Sequence, residues 1–462
     1  DEVKLDADIT LSDGTPINID KNLTVNLNGK TLSMTGAADA MFKITGGAVL
    51  TVRDGGNGGG NGSTLKITAS TGTSAYISNI ESGSLVLGDE APASNMATFT
   101  ATAPATGAGA ASVTVLCAKT SFDPSAYVTN PYVAQGNATD GWTVDEYAAK
   151  LTAVTASGGV IGGGTTTTVT YHKTLKDALL KVNSSSQIDE IELLRNIDLS
   201  AAGETNPTTV STRVILSGGT SKHMIKGNVS VAKDAGAAVD AKTIRNITVE
   251  GDITVNSAVL NLLNVTVTGS VTDSESSVLE LTNTNISGAL TAGDGSRLNF
   301  VTGSAGSVTA TTGASAVNRD IKLSGVNVEN AITVGTYSNV ECINVTAAGL
   351  TVADAPQGST AANNPSVSIK SSSIGTVTTG AGMLKVELNA LTATDVKVGS
   401  GTSLIEVKSL SGASNIGTLT IGENCGTTTI EGNLNGATTI GTLTVGTGTN
   451  PALGANTSSS AA

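Results

Sequence analysis

The sequence is short of aromatic rings, charge and histidine. One Trp, six Tyr and four Phe make up 2% of the 462 residues. That is too few to fill a thick globular core, where rings supply much of the buried area. Charged residues are 14% and hydrophobic residues 39%, which argues against disorder. Only 25 Lys and Arg stand against 38 Asp and Glu, for a net charge of −13, so nucleic acid is not an expected partner. No run of 18 apolar residues occurs, and no membrane span is expected. Cys117, Cys342 and Cys425 are an odd, scattered set that suggests neither a disulfide framework nor a metal site. The chain opens at Asp1 with no initiator Met and no signal-peptide pattern, which reads as a mature or trimmed chain.

Val, Ile, Leu, Thr, Ser, Asn and the 55 glycines dominate instead, which is strand-and-turn chemistry. They fall into a repeat. Leu260, Leu279 and Leu298 are 19 residues apart, as are Ile321 and Val340, and again Val367, Val386 and Ile405. Two residues after each anchor stands another apolar residue: Leu262, Leu281, Phe300, Leu323, Cys342, Ile369, Leu388 and Val407. That spacing points both side chains to one face of a strand, which makes Cys342 a small core residue.

A second strand is expected around Val267, Ile286, Ala305, Val328, Ala347, Ile374, Ala393 and Gly412. Between the two, at Asn264, Asn283, Thr302, Gly325, Asn344, Ser371, Ala390 and Ser409, small residues suit a tight left-handed bend. A third strand is expected around Val271, Leu290, Ile332, Val352 and Val396. Three short strands in a 19-residue period predict stacked coils of a parallel β-helix. Two breaks add 4 and 8 residues, around Asn318-Arg319-Asp320 and Asp354-Ala355-Pro356-Gln357, and are expected as surface loops.

Residues 1–90 read as a second, less regular solenoid. Its alternating pairs include Val3/Leu5, Ile9/Leu11, Ile17/Ile19, Leu50/Val52 and Leu85/Leu87, with turns at Ser12-Asp13-Gly14 and Asn28-Gly29. The opening Asp1–Leu11 aligns without a gap on Asp189–Leu199, so the two solenoids are related. Residues 91–115 are weakly patterned. Residues 116–147 hold Phe122, Tyr127, Tyr132, Trp142 and Tyr147, an aromatic segment expected to close the first solenoid. Gly162-Gly163-Gly164 and a threonine run mark 151–170 as a linker. Thr174 as N-cap, with Leu175, Leu179 and Val182 at helical spacing, predicts a capping helix over about 174–183. The expected fold is therefore all-β. It comprises two right-handed parallel β-helix domains, 1–150 and 171–462, and one short helix.

The stretch Tyr171–Leu179 followed by Ile191–Ile197 resembles the start of right-handed β-helix repeats in bacterial cell-surface proteins. Leu23–Leu32 is similar to the next strands of that unit, and Ser121–Val128 with Gly141–Val144 to its closing segment. The resemblance covers about a third of the chain at motif level. It implies a pectate-lyase-like architecture, a secreted or surface location, and a structural or adhesive role. No opening helix precedes Asp1, and no closing segment of that kind follows Val445.

A polysaccharide lyase or hydrolase would need clustered carboxylates, or basic residues with calcium ligands, in one groove. The only histidines, His172 and His223, fall in no dense polar motif, and His172 is expected at the surface. Asp145-Glu146 and Asp189-Glu190 read as solvated charge. Asp54–Gly62 has Asn where a calcium nonapeptide repeat wants Asp, and reads as a turn. Gly29-Lys30-Thr31 lacks the upstream glycine of a phosphate loop and reads the same way. No catalytic residue, cofactor or metal ligand is expected.

The ends draw attention. Strand edges at Val3, Leu5, Ile9 and Leu11, and at Leu419, Ile421, Leu443 and Val445, have nothing in the sequence to cover them. Gly446–Ala462 reads as a small-residue polar tail. One bare end can extend the other, and a head-to-tail contact that does not close gives a filament. The expected partner is the protein itself. The alternatives are a cut chain, a tail folded back as a lid, or the stalk of an adhesin binding glycan or a host surface.

Overall fold

A computed structural model describes all residues except 38, 56–61, 91–95, 157–164, 183–187, 234–240, 275, 312–318, 357–364, 433–435, 456 and 462, and the side chains of 156 and 459–461. The chain is a right-handed parallel β-solenoid of about 18 turns in all. It divides into two compact units, Asp1–Ala148 and Ala149–Ala462.

In the first unit successive coils build three parallel sheets, to the third of which the last coil adds no strand. The first sheet stacks Glu2–Lys4, Leu23–Asn26, Ala48–Arg53, Gly83–Leu87 and Val113–Val115. The second runs from Ile9–Leu11 to Ala118–Thr120, and the third from Ile17–Ile19 to Ala103–Thr106. Strands at Thr98–Thr100, Ala103–Thr106 and Val113–Val115 lie where sequence patterning is weakest. They are short and rich in Ala and Thr, so periodicity has little to register. The aromatic segment does close this unit. Tyr132–Asn137 and Gly141–Glu146 form an antiparallel hairpin, laid on Ala118–Thr120 with Trp142 opposite Thr120. Phe122 and Val144 join the core, and Tyr127 and Tyr132 pack against it.

In the second unit the inward residues form continuous lanes. One runs Ile191, Leu216, Ile244, Leu262, Leu281, Phe300, Leu323, Cys342, Ile369, Leu388, Val407, Ile430 and Leu453, each paired with the next. The register holds across both breaks, with Leu298 opposite Ile321 and Val340 opposite Val367. Cys342 is fully buried, and desolvation pushes its thiol up to about 12. All three cysteines are free.

The bends are left-handed at Asn264, Asn283, Thr302, Gly325, Asn344, Ser371 and Ala390, with φ from 48° to 65°. The amide of Asn283 donates to Asn264 Oδ1 at 2.8 Å, and that of Asn264 to Asn246 Oδ1 at 3.2 Å. The corner is thus a short asparagine ladder. Alanine has no side-chain compensation for φ of +53°. Ala390→Gly is therefore expected to raise the stability of the second unit by about 0.5–1 kcal/mol, read by urea unfolding.

Several positions depart from the sequence reading. Extra residues between Ser409 and Ser414 displace the next rung, so Ala393 pairs with Ile416 rather than stacking on Gly412. Ser409 makes no left-handed bend; its buried hydroxyl shares a 2.7 Å hydrogen bond with Thr438 Oγ1. In the third lane the partner of Ile332 is Leu350, and Val352 pairs one alternation later with Val334. Asn318 and Gln357 lie outside the described residues, and Asp354 is exposed as expected. Arg319 is not in a surface loop. It begins the strand Arg319–Val334 and is 5% exposed. The tail after Val445 adds strands Pro451–Leu453 and Thr457–Ala461, one more coil.

Of the stretch 151–170, expected as a linker, residues 157–164 lie outside the described residues and both flanks are strands. Ala149–Ala156 and Thr165–His172 pair antiparallel over eight residues, and the first also lies antiparallel on Asp189–Leu193. Threonine is a strong strand former, and that preference outweighs the glycines nearby. The helix is Leu175–Lys181, with Thr174 Oγ1 accepting the Asp177 N–H at 3.0 Å. The Glu204 carboxylate takes the N–H groups of Leu175 and Lys176, at 2.7 and 3.1 Å.

Candidate functional site

The gap-free alignment of residues 1–11 with 189–199 makes the two solenoids a controlled comparison. In the second unit Leu151 of the antiparallel strand lies over Ile191, and Ala149 over Leu193. Asp189 pins that strand. It is fully buried, not solvated, and its Oδ1 accepts the Val154 N–H at 2.9 Å. Glu190 pairs with Arg245 at 2.6 Å, and Lys150 with Glu192 at 3.1 Å. Under this cover Ile191, Leu193, Ile197 and Leu199 are at most 2% exposed.

In the first unit the matching coil has no such cover among the described residues. Val3 is 49% exposed, Ile9 41% and Ile17 39%, one from each strand of the first coil. Leu5 is buried and Leu11 half-buried. The edge is held in shape from within. Glu2 accepts from Asn26 Nδ2 at 2.7 Å and from Arg53 at 3.2 Å, and these bonds hold its carboxyl below the usual range. Asp8 accepts the Thr31 N–H at 2.8 Å.

At the far end of the second unit the same lane surfaces at Leu453, which is 56% exposed. Leu419 and Ile421 are fully buried two coils deeper, with strands on both sides. Leu443 is buried and Val445 half-buried beneath Thr457–Ala461. Of the residues expected at the ends, Val3 and Ile9 are thus the open ones, joined by Ile17 and Leu453. Ile17 could have been found from its alternation with Ile19. Leu453 could not, because the sequence after Val445 carries too few apolar residues to show a period.

Other candidate residues serve the fold. Asp54 is buried; it accepts the Gly29 N–H at 3.0 Å and the Ser63 hydroxyl. Residues 56–61 of that glycine stretch lie outside the described residues. Gly29-Lys30 is a turn. Asp145 accepts the Glu146 N–H at 2.8 Å. His172 is half-buried and bonds Thr170 Oγ1 at 2.9 Å; burial lowers its pKa and that of His223. Among the described residues no three His, Cys, Asp or Glu converge as metal ligands would, and no helix is long and apolar enough to cross a membrane.

Charge in the second unit gathers on the first sheet. Glu387 and Glu406 stand one above the other. Lys385 bridges them at 3.2 and 2.7 Å, and Lys408 meets Glu406 at 2.6 Å. Hydrogen bonds from Lys385 and then Lys408 hold the Glu406 carboxyl below its usual pKa. That favours the folded state above the unfolded pKa, and the gain disappears as pH falls through the folded value. Glu406→Gln is therefore expected to cost about 1 kcal/mol at pH 7 and nothing at pH 2, measured by urea unfolding at both. The lane of Val271 instead shows an outward row of threonines, Thr272, Thr291, Thr309, Thr333, Thr351 and Thr378, which meets charge at Lys397.

Comparison with family models, with curated proteins and with solved structures finds no match for this chain.

Proposed function

We propose that this protein is a structural component of an extracellular or cell-surface fibre, of the bacterial β-helix kind, assembled by end-to-end stacking of copies. One observation carries the reading. The apolar lane that ends exposed at Leu453 is, by the internal alignment, the lane that begins exposed at Val3. Stacking Val3 of one copy on Leu453 of the next continues the lane without a step. It also pairs Glu2–Lys4 with Pro451–Leu453 as further parallel rungs, and sets Ile9 over the strand Thr457–Ala461. Both open edges are thereby satisfied by one contact. Such a contact is heterologous, and unless its rotation closes into a ring it propagates.

Electron microscopy and sedimentation of the purified protein across salt and concentration test this reading. Filaments that lengthen with protein concentration are expected. Single particles under every condition would remove it.

A further inference from the structure

We propose that the end-to-end joint is keyed by an ion pair between copies, in which Lys4 of one copy reaches over Gly454 of the next to Glu431. The pairing rests on the end-stacking reading and adds what fixes its register.

Each charge stands on an outward row of its sheet without a partner among the described residues. Lys4 is exposed, and Glu2, two residues before it, is already held by Asn26 and Arg53. Glu431 follows Ile430, which pairs with Val407, so it continues the row of Lys408. Lys408 itself is taken by Glu406 at 2.6 Å. The stretch Gly432–Ala462 holds no charged residue, so the coil stacked on Glu431 supplies no cation. Gly454 forms the rung above. Its N–H donates to Ile430 O at 2.7 Å, and a Cβ at 454 would stand 2.7 Å from the Glu431 Cβ. The rung between Glu431 and the joint is thus bare of a side chain.

With Val3 stacked on Leu453, Lys4 falls on Gly454. Parallel rungs are about 4.8 Å apart, so Lys4 and Glu431 are separated by about 9.6 Å along the stack. Ion pairs within the molecule already span two rungs. Glu2 reaches Arg53 across Leu23–Asn26 at 3.2 Å, and Glu190 reaches Arg245 across Val214–Ser217 at 2.6 Å. Slipping the stack by two residues keeps the inward alternation, so the apolar lane alone does not choose a register. The charges do choose. One slip sets Glu2 on Gly454 and the opposite slip sets Asp6 there, and either acid then faces Glu431 with like charge. Only the unslipped stack brings a cation. Copies with a net charge of −13 repel one another, and an opposite pair at the rim works against that repulsion.

Pelleting assays and electron microscopy of the full chain test the pairing. Lys4→Glu and Glu431→Lys are each expected to raise the critical concentration at least roughly tenfold. The chain carrying both should polymerise within about threefold of the unmodified protein, because the pair is restored with its signs exchanged. An equimolar mixture of the two single variants should also polymerise, since each then offers the charge the other's end requires. That arm also shows both variants to be folded. Rescue by either route supports the ion pair. Reversals without effect, or reversals rescued by neither route, overturn it while leaving end stacking in place. Single particles of the unmodified chain under every condition overturn both.

Discussion

Replacing Ile9 by lysine is expected to abolish filament growth while leaving the monomer folded. Ile9 is 41% exposed, so the monomer loses little buried surface on substitution. In the stacked contact the same position is covered by the next copy, and the ammonium must give up its water there with no partner. A single buried apolar side chain contributes about 1.5–3 kcal/mol, and losing it while desolvating a charge exceeds that. The critical concentration should rise roughly a hundredfold, about 2.8 kcal/mol, and more if Leu453→Lys is added. Pelleting assays with circular dichroism read both halves of the expectation. Unchanged polymerisation would mean that the first coil is not the joint.

Arg319→Ala is expected to be the most damaging single change to the second unit, at about 3 kcal/mol or more. At this corner serines form a ladder: Ser277 Oγ accepts the Ala258 N–H at 3.2 Å, and Ser296 Oγ the Ser277 N–H at 3.0 Å. Asp273, buried, accepts from Ser277, Ser296 and the Gly293 N–H. In the next coil Arg319 replaces the serine. Its Nη1 donates to Gly293 O at 2.6 Å and its Nε to Ser338 Oγ at 2.9 Å. Burial pushes the guanidinium pKa down, while the negative charges of Asp294 and Asp273 oppose that. Truncation removes the cation nearest the buried Asp273 and the half-buried Asp294, leaves the Gly293 carbonyl without its donor, and empties the volume of a long side chain. Lysine should not rescue it, because its single nitrogen cannot stand at once where Nε reaches Ser338 and where Nη1 reaches Gly293. Urea unfolding of the single variants and of the Asp273→Asn/Arg319→Ala pair measures the coupling. A cost below about 1 kcal/mol would show the network to be dispensable.

Much of this fold is readable from residue spacing, because a solenoid repeats its chemistry at a fixed period. The anchors Leu260 to Ile405 and the left-handed bends at Asn264 to Ala390 follow from side-chain alternation and from what a corner tolerates. Failures cluster where local spacing changes. Ser409 and Gly412 sit beside an insertion that shifts the next rung to Ile416. Arg319 reads as a loop residue because charge next to a break normally faces water. Lys242 is an inward residue opposite Leu260, fully buried, where alternation alone calls for an apolar side chain. The cover over Ile191 was read as a linker, since Thr-rich strands have no apolar period. The open edge was legible only in part: Val3 and Ile9 follow from the internal alignment, whereas Leu453 depends on a final coil built from Thr, Ser and Ala.

The strand laid over Asp189–Leu193 and the hairpin over Ala118–Thr120 each seal one extremity of their own solenoid, and among the described residues nothing seals the other. Cooperativity in such a stack passes only between neighbouring coils. Melting of each unit should therefore start at its unsealed rim and travel inward like an unwinding spring, with the coil beneath the seal letting go last. A fibre joint at that rim would then act as a lock as well as a link. Polymer and monomer would share the same interior and differ in how fast their outermost windings open.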